Sequence, residues 1–374
     1  MTDGIDISGE APAALIDAFA DNFERGAELG ARFAAMQDGE IIADIWAGHI
    51  DRSKQTPFTD ETLCCIFSSG KAPMAFLMAR AVSEGALDYD RPVADYWPDF
   101  AANGKETVTL AMALSHQAGL CGFPNEMPPE DWINWDLICS RLAAMAPLWA
   151  PGTASGYHPQ TVGFIGGEIL KRASGRSIGE TLREDFFNAA GVDLHCGLTE
   201  AEMARVSYML KPPSAPVHRQ NSRYTEIAFL KPWSAPARVA REDWMAAELP
   251  ASNMHGTARA LAEIMHPLAN RGDDFSGDKI VGDDAIRQAL QIRITGEDLV
   301  LPFDLSWAAG LMANNFGQFG PSISAFGHAG FGGSCVVIDP EKRLSFAYVM
   351  NKMSPSLVGD ERAVRLAAAL YEGL

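Results

Sequence analysis

The stretch CIFSSGKAPMAF, residues 65–76, sets two serines and a glycine ahead of a lysine, at the mouth of an almost wholly apolar run. From Met74 to Val82 the only polar residue is Arg80. A helix that apolar is buried on nearly all sides. Pro73 has no N–H and fits the first turn, where donors lack intrahelical acceptors. The spacing therefore predicts a buried helix that begins near Ser69, with Ser68 at its N-terminus. Free N–H groups and the helix dipole favour a developing negative charge at that end. Lys71 follows one turn later, so its amine reaches back to the Ser68 oxygen. An amine buried beside a positive helix end has a lowered pKa, and a neutral lysine is a competent base. A capping serine with a solvated lysine would also satisfy serine-x-x-lysine, but a solvated lysine needs no apolar helix behind it. The pattern reads as a nucleophile beside its activator.

Two later motifs can complete such a site. WAPGTASGYHP, residues 149–159, delivers Tyr157 after a Pro- and Gly-rich loop. A phenol held near a lysine can relay a proton or act as a base. In FGHAGFGGSCVVI, residues 326–338, His328, Ala329 and Gly330 end a strand, and Gly332 and Gly333 would allow a ligand close to the backbone. A substrate carbonyl along that edge would accept an N–H from Phe331.

Around these motifs the two ends of the chain read alike. Ile16, Phe19, Ala20 and Phe23 follow a helical period, and Asp38-Gly39 between apolar runs signals a hairpin. Residues 334–351 read as two strands around a turn at 339–343. A last helix carries Ala363, Leu366, Ala367 and Leu370 on one face, with Asp360 and Glu361 at its start. The middle, about residues 87–198, shows helical patterns joined by loops such as GFPNEMPPEDW and little β alternation. The expected organisation is discontinuous. Residues 1–86 and 205–374 form an α/β domain with an antiparallel sheet, and residues 87–204 form an inserted helical domain.

Composition excludes several classes. The 374 residues carry 30 basic and 48 acidic side chains, a formal charge of −18. That balance argues against nucleic acid and anionic membrane surfaces as partners. The six cysteines show no CxxC spacing and no neighbouring histidine pair, so they read as buried thiols, not as a zinc site or a disulfide framework. The opening MTDGIDISGEAPAALIDAF has neither a basic region nor a continuous apolar one, and no run reaches the length of a membrane span. A cytoplasmic protein is expected.

SSGK, GYHP and HAG stand in the order of the serine β-lactamase and penicillin-recognising superfamily, with HAG in the place of Lys-Thr-Gly. With ALSHQAGL, residues 149–179 and ASNMHGTARALA, the chain most resembles the family VIII carboxylesterases, a branch related to class C β-lactamases. The resemblance runs over roughly residues 30–351. It implies an α+β, β-lactamase/transpeptidase-like fold: an antiparallel sheet flanked by helices, with an inserted helical domain. It implies Ser68 as acylated nucleophile, Lys71 and Tyr157 sharing base and acid work, and the N–H groups of Ser68 and Phe331 as oxyanion hole. His328, Ala329 and Gly330 would bind substrate. No metal or organic cofactor is implied, and the partner is a small-molecule ester.

Two departures bear on substrate. Pro159 stands where class C β-lactamases carry the asparagine of Tyr-x-Asn, and His328 replaces a lysine that helps to anchor a carboxylate. Both favour esters of short to medium chain over penicillins. The alternatives are a class C-like β-lactamase, a D-amino-acid peptidase, an acyltransferase, or a non-enzymatic protein that only acylates.

Several residues compete for attention. GRSIG, residues 175–179, fits the G-x-S-x-G elbow, but a helix and not a strand precedes it, so Ser177 reads as a helix cap with Glu180 completing a capping box. His116 and His255 read as structural. Trp132, Trp135, Trp149 and Phe123 fit an acyl pocket or a core equally well. Residues 266–279, HPLANRGDDFSGDK, read as a solvated surface loop.

Overall fold

In the strand Gly30–Gln37 every residue but the last is buried. Buried on both faces, such a strand belongs in the middle of a sheet with layers on either side. The computed structural model, which describes residues 6–374, places it there. The main sheet has nine strands: β1 (Ser8–Glu10), β2 (Gly30–Gln37), β3 (Glu40–Gly48), β4 (Ile294–Glu297), β5 (Asp304–Trp307), β6 (Met312–Ala313), β7 (Phe326–Ala329), β8 (Cys335–Asp339) and β9 (Leu344–Met350). Their order is β1-β3-β2-β9-β8-β7-β6-β5-β4, and every pairing is antiparallel. The expected hairpins are present. Asp38 and Gly39 take φ of 52° and 89° in a two-residue turn, with Gln37 opposite Glu40. Asp339 pairs with Leu344 across the second turn.

The sheet is covered on both faces, and β9 shows how. Ala347 and Val349 join one core with helices α2 (Lys71–Ser83), α3 (Thr161–Ser174) and α4 (Ala258–Ala269). Their neighbours Phe346, Tyr348 and Met350 point the other way, toward α1 (Ala13–Glu24) and α5 (Glu361–Glu372). The two terminal helices thus form one layer, with Leu15, Phe19, Leu366 and Leu370 fully buried.

The apolar run of the opening motif becomes α2, with Met74, Phe76 and Met78 wholly enclosed. Truncating Phe76 to alanine would cost about 3–5 kcal/mol. The helix starts two residues later than expected, at Lys71. A 3₁₀ turn, Phe67–Gly70, precedes it and contains Ser68. The cause is Phe67, whose φ of 46° turns the chain sharply out of the short strand Cys64–Cys65.

Two other expectations change. Residues 266–279 are not all a solvated loop: His266 is fully buried near the end of α4, where its Nε2 accepts the Gly39 N–H at 3.0 Å. The segment 222–246, assigned by sequence to the sheet domain, bridges to the helical side: Ser222 and Thr225 donate to the Leu299 and Val300 carbonyls, while its Trp233 reaches the helical region. Trp132 Nε1 donates to the Trp233 carbonyl, and Trp233 Nε1 donates to that of Phe123. No helix among the described residues is long and apolar enough to cross a membrane.

Candidate active site

Three elements meet at Ser68. The strand Cys64–Cys65 pairs with His255–Gly256, and the chain reverses at Phe67 into the 3₁₀ turn. A non-glycine residue in the left-handed region is strained, and the strain here aims the Ser68 side chain at a pocket. Ser68 is partly exposed, whereas Lys71 is only 1 % exposed. Lys71 Nζ lies 3.0 Å from Ser68 Oγ, 2.8 Å from the Pro159 carbonyl and 2.9 Å from that of Ala251. Burial holds Lys71 well below the ordinary lysine pKa, and no carboxylate offsets it. A neutral amine has two N–H groups, which suit the two carbonyls. Its lone pair then faces Ser68 and can accept the hydroxyl proton.

Tyr157 arrives from the helical side. Lys71 Nζ lies 4.9 Å from its ring centroid. The ring is held between the near-parallel rings of Trp307 and Phe229, at 5.8 and 6.2 Å. Burial pushes its phenol upward, with the Ser68 hydroxyl as the neighbour that opposes the shift. A phenol shifted in this direction favours its protonated, donating form.

The Tyr157 main chain is fixed by residues that the sequence gave no reason to choose. Asp298 is fully buried, and its Oδ1 accepts from the N–H groups of Tyr157, Val300 and Leu301 at 3.0, 2.9 and 2.9 Å. His158 Nε2 accepts from Leu120 N–H, and the His158 N–H donates to His116 Nδ1. His116 and His158 thus tie this loop to residues 113–120, as the structural reading of His116 expected. Burial lowers His158 and His328 to about 3 and His116 well below its usual value, so the imidazoles are neutral.

The third element is the end of β7. Of β7, only Phe326 and Gly327 pair with β6, which leaves the edge at His328 and Ala329 open. The loop that follows packs on the serine turn. Ser334 Oγ donates to the Ile66 carbonyl at 2.9 Å and lies 3.1 Å from Ser69 Oγ. A Cβ on Gly330 would meet the Ile66 carbonyl at 2.4 Å, so only glycine fits. The Phe331 N–H has no acceptor among the described residues. The first N–H donor of the 3₁₀ turn is Ser69, to the Ile66 carbonyl at 3.1 Å, so the preceding Ser68 N–H is also unpaired within the helix.

The pocket in front of Ser68 measures about 370 Å³. Ala329 and Phe331 line it; His328 and Gly330 do not. His328 is wholly buried, its ring 5.9 Å from that of Tyr157, so the expected substrate contact from this side chain is not made. Gly332 and Gly333 do not open the backbone to a ligand either. Their missing Cβ positions are taken up by Met353, Arg362 and Asp360. No aspartate, glutamate, lysine or arginine lines the pocket. Its roof, with His218 and Phe229, comes from a Pro-rich segment that carried no sequence signal for the site.

The competing candidates fall elsewhere. Ser177 caps a helix with Glu180 in a full capping box, after Gly175 closes α3 in the left-handed conformation. Its hydroxyl donates to Glu248. His255 is a buried residue of the three-stranded sheet. Trp132, Trp135, Trp149 and Phe123 are core or loop anchors and do not line the pocket. All six cysteines are unpaired and buried, and no group of metal-binding side chains occurs among the described residues.

The chain is similar to proteins of known class over nearly its whole length. A penicillin-binding protein homologue from Caulobacter crescentus is 47 % identical, with a TM-score of 0.96 over 99 % of this chain and 100 % of the other. A family VIII carboxylesterase of known structure is 37 % identical, with a TM-score of 0.91 over 99 % and 100 %. The esterase/beta-lactamase LipL of Mycobacterium tuberculosis is 30 % identical over 368 residues, which cover 94 % of this chain and 83 % of that protein. The family model described as beta-lactamase matches residues 15–370. A serine hydrolase fold surrounds the Ser68 pocket, and the chain belongs to the beta-lactamase family.

Proposed function

We propose that the protein is a carboxylesterase that hydrolyses short- to medium-chain esters through an acyl-enzyme on Ser68. Lys71 takes the Ser68 proton as Oγ attacks the ester carbonyl. The oxyanion is received by the N–H groups of Ser68 and Phe331. As the bond to the alcohol breaks, the Tyr157 hydroxyl donates a proton to the leaving oxygen and regains one from the Lys71 ammonium. Water then attacks the acyl group as Lys71 takes its proton; the bond between the acyl carbon and Ser68 Oγ breaks, the Lys71 ammonium returns the proton to Oγ, and the acid leaves. Ala329 docks the substrate along the open edge of β7. No cofactor takes part.

One observation carries the substrate class: the pocket has no charged side chain in its lining. A carboxylate-bearing penicillin would enter without a counter-charge, whereas a neutral ester loses little on desolvation. Pro159 and the enclosed His328 support the same reading. The second reading, a β-lactamase, draws on the description of the Mycobacterium tuberculosis relative, which names both activities. Six buried thiols support a reducing, cytoplasmic setting. Assay of a p-nitrophenyl ester series beside a chromogenic cephalosporin separates the readings. The esters should be cleaved far faster, and an equal kcat/KM for the cephalosporin would contradict the proposal.

A further inference from the structure

The loop that carries Phe331 has little stiffness of its own. Gly332 and Gly333 stand side by side with φ of 93° and 126°, a region open almost only to glycine. Its turn is closed by two bonds, from Gly333 N–H to the Gly330 carbonyl at 3.1 Å and from Gly330 N–H to the Ser334 carbonyl at 2.7 Å. Behind it, on the face away from the pocket, lies a cluster of buried ionisable groups: Arg362 at 5 % exposure, Asp360 at 6 %, Glu28 at 8 % and Tyr348 at 0 %.

The Arg362 guanidinium uses its whole fork. Nε and Nη2 donate to the two Asp360 oxygens at 2.9 and 3.0 Å. Nη1 donates to Glu28 at 3.1 Å and to the carbonyls of Lys352 and Ala27 at 2.7 and 3.2 Å. Nη2 also donates to the Gly332 carbonyl at 2.7 Å. Tyr348 holds the other Glu28 oxygen, and Ser354 holds Asp360. A Cβ on Gly333 would lie 2.4 Å from Arg362 Nη2 and 2.6 Å from Asp360 Oδ2, so the loop rests directly on the ion pair.

We propose that Arg362 is a positioning residue, whose fork fixes the Gly332 carbonyl and thereby aims the Phe331 N–H at the developing oxyanion. This rests on the reading of Ser68 as the acylated nucleophile. The Gly332 carbonyl and the Phe331 N–H belong to one four-residue turn, so fixing the first restrains the second. The opposite side of the loop is held by Ser334 and Ser69. On the glycine side the Gly332 carbonyl also accepts the Ser354 N–H at 2.9 Å, and the Gly332 N–H donates to the Ser356 carbonyl at 3.4 Å; Arg362 supplies the side-chain hold there, which no side chain of the loop can. Asp360 and Glu28 keep the guanidinium from rotating.

The test compares Arg362→Lys and Arg362→Gln with a control, Arg32→Gln. The control breaks another buried ion pair, Arg32 with Asp44 at 2.7 Å, in β2 and β3 and away from the loop. Lysine keeps the charge and the stem but cannot span both Asp360 and the Gly332 carbonyl. Loss of one oxyanion donor lowers kcat by about 10²–10³-fold, and misaiming one should cost part of that. The expected result is a fall in kcat of roughly 10- to 100-fold for both Arg362 variants, with KM within about threefold and lysine the milder. Arg32→Gln should lose thermal stability and keep kcat. Either a folded Arg362→Lys enzyme with wild-type kcat, or a rise in KM alone, would overturn the proposal. If Arg362→Gln does not fold, Arg362→Lys decides on the same terms. Fluorophosphonate labelling of the wild-type enzyme is read alongside. Failure to label Ser68 would refute the underlying reading of the nucleophile; labelling at Ser68 with unchanged kcat in the Arg362 variants would refute the positioning role alone.

Discussion

Lys71 and Lys105 are both buried lysines without a carboxylate partner, and they do opposite things. Lys105 is fully enclosed and donates to the carbonyls of Ala102, Ala143 and Met145 at 2.6 Å, 3.0 Å and 2.5 Å. Two of those carbonyls end the helix Trp135–Ala144, where the dipole favours a cation. Three pure acceptors require three N–H groups, so Lys105 is an ammonium that caps a helix. Lys71 has two carbonyls and, third, a hydroxyl. A hydroxyl can donate, which lets the amine be neutral. Burial lowers both pKa values, that of Lys71 far more. On the proposed mechanism, the nature of one partner atom separates a structural lysine from a basic one.

The sharpest break in this comparison comes from removing the hydroxyl. Ser68→Ala should lose ester hydrolysis by at least about 10⁴-fold, because the lone pair then has nothing to deprotonate. Ser177→Ala should retain most activity in the same assay. Next, Lys71→Ala and Tyr157→Phe should each lower kcat by about 10²–10⁴-fold, the usual span for acid–base groups. The double variant should be little worse than the poorer single one, since one proton is shared. A Tyr157→Phe enzyme with normal kcat would leave Lys71 as sole acid and base.

pH gives a third test. The amine must be neutral to accept a proton, so kcat/KM should fall as pH drops through the folded pKa of Lys71. That pKa is depressed, and the plateau should therefore begin well below lysine's ordinary 10.5. His158 and His328, at about 3, stay neutral across this range and add no limb of their own. Smallest in activity is Lys105→Met. It leaves three carbonyls without a donor and should lower stability by about 1–3 kcal/mol in denaturant unfolding. Its kcat should stay within about twofold of wild type. A large loss of kcat there would erase the distinction between the two lysines.

The placement of a buried Lys71 amine beside Ser68 was legible from the sequence because it is local. Serine and lysine one turn apart, with only apolar residues beyond them, already specify a buried amine. The two hairpins and terminal helices were legible for the same reason: period and turn chemistry lie within a few residues. What could not be read was built by distant contacts. Asp298 looks like any loop aspartate until Tyr157, 141 residues away, donates its N–H. His328 carries no mark of pointing away from the pocket, because one strand residue decides which face it takes. Gly332 and Gly333 showed that close approach was needed but not that Arg362 and Asp360 fill the space. Phe67 in a left-handed conformation, which delayed the start of α2, is a cost that propensity argues against and tertiary packing imposes.

The central claim is that Lys71 is a neutral amine in the resting enzyme while Lys105 is charged. Carbon-13 labelling at lysine Cε, followed by NMR across a pH titration with Lys71→Met and Lys105→Met spectra for assignment, reads both in one sample. At neutral pH the account expects the Lys71 signal at the position of a free amine and the Lys105 signal at that of an ammonium. A Lys71 signal that stays at the ammonium position until about pH 10, like an exposed lysine, would contradict it.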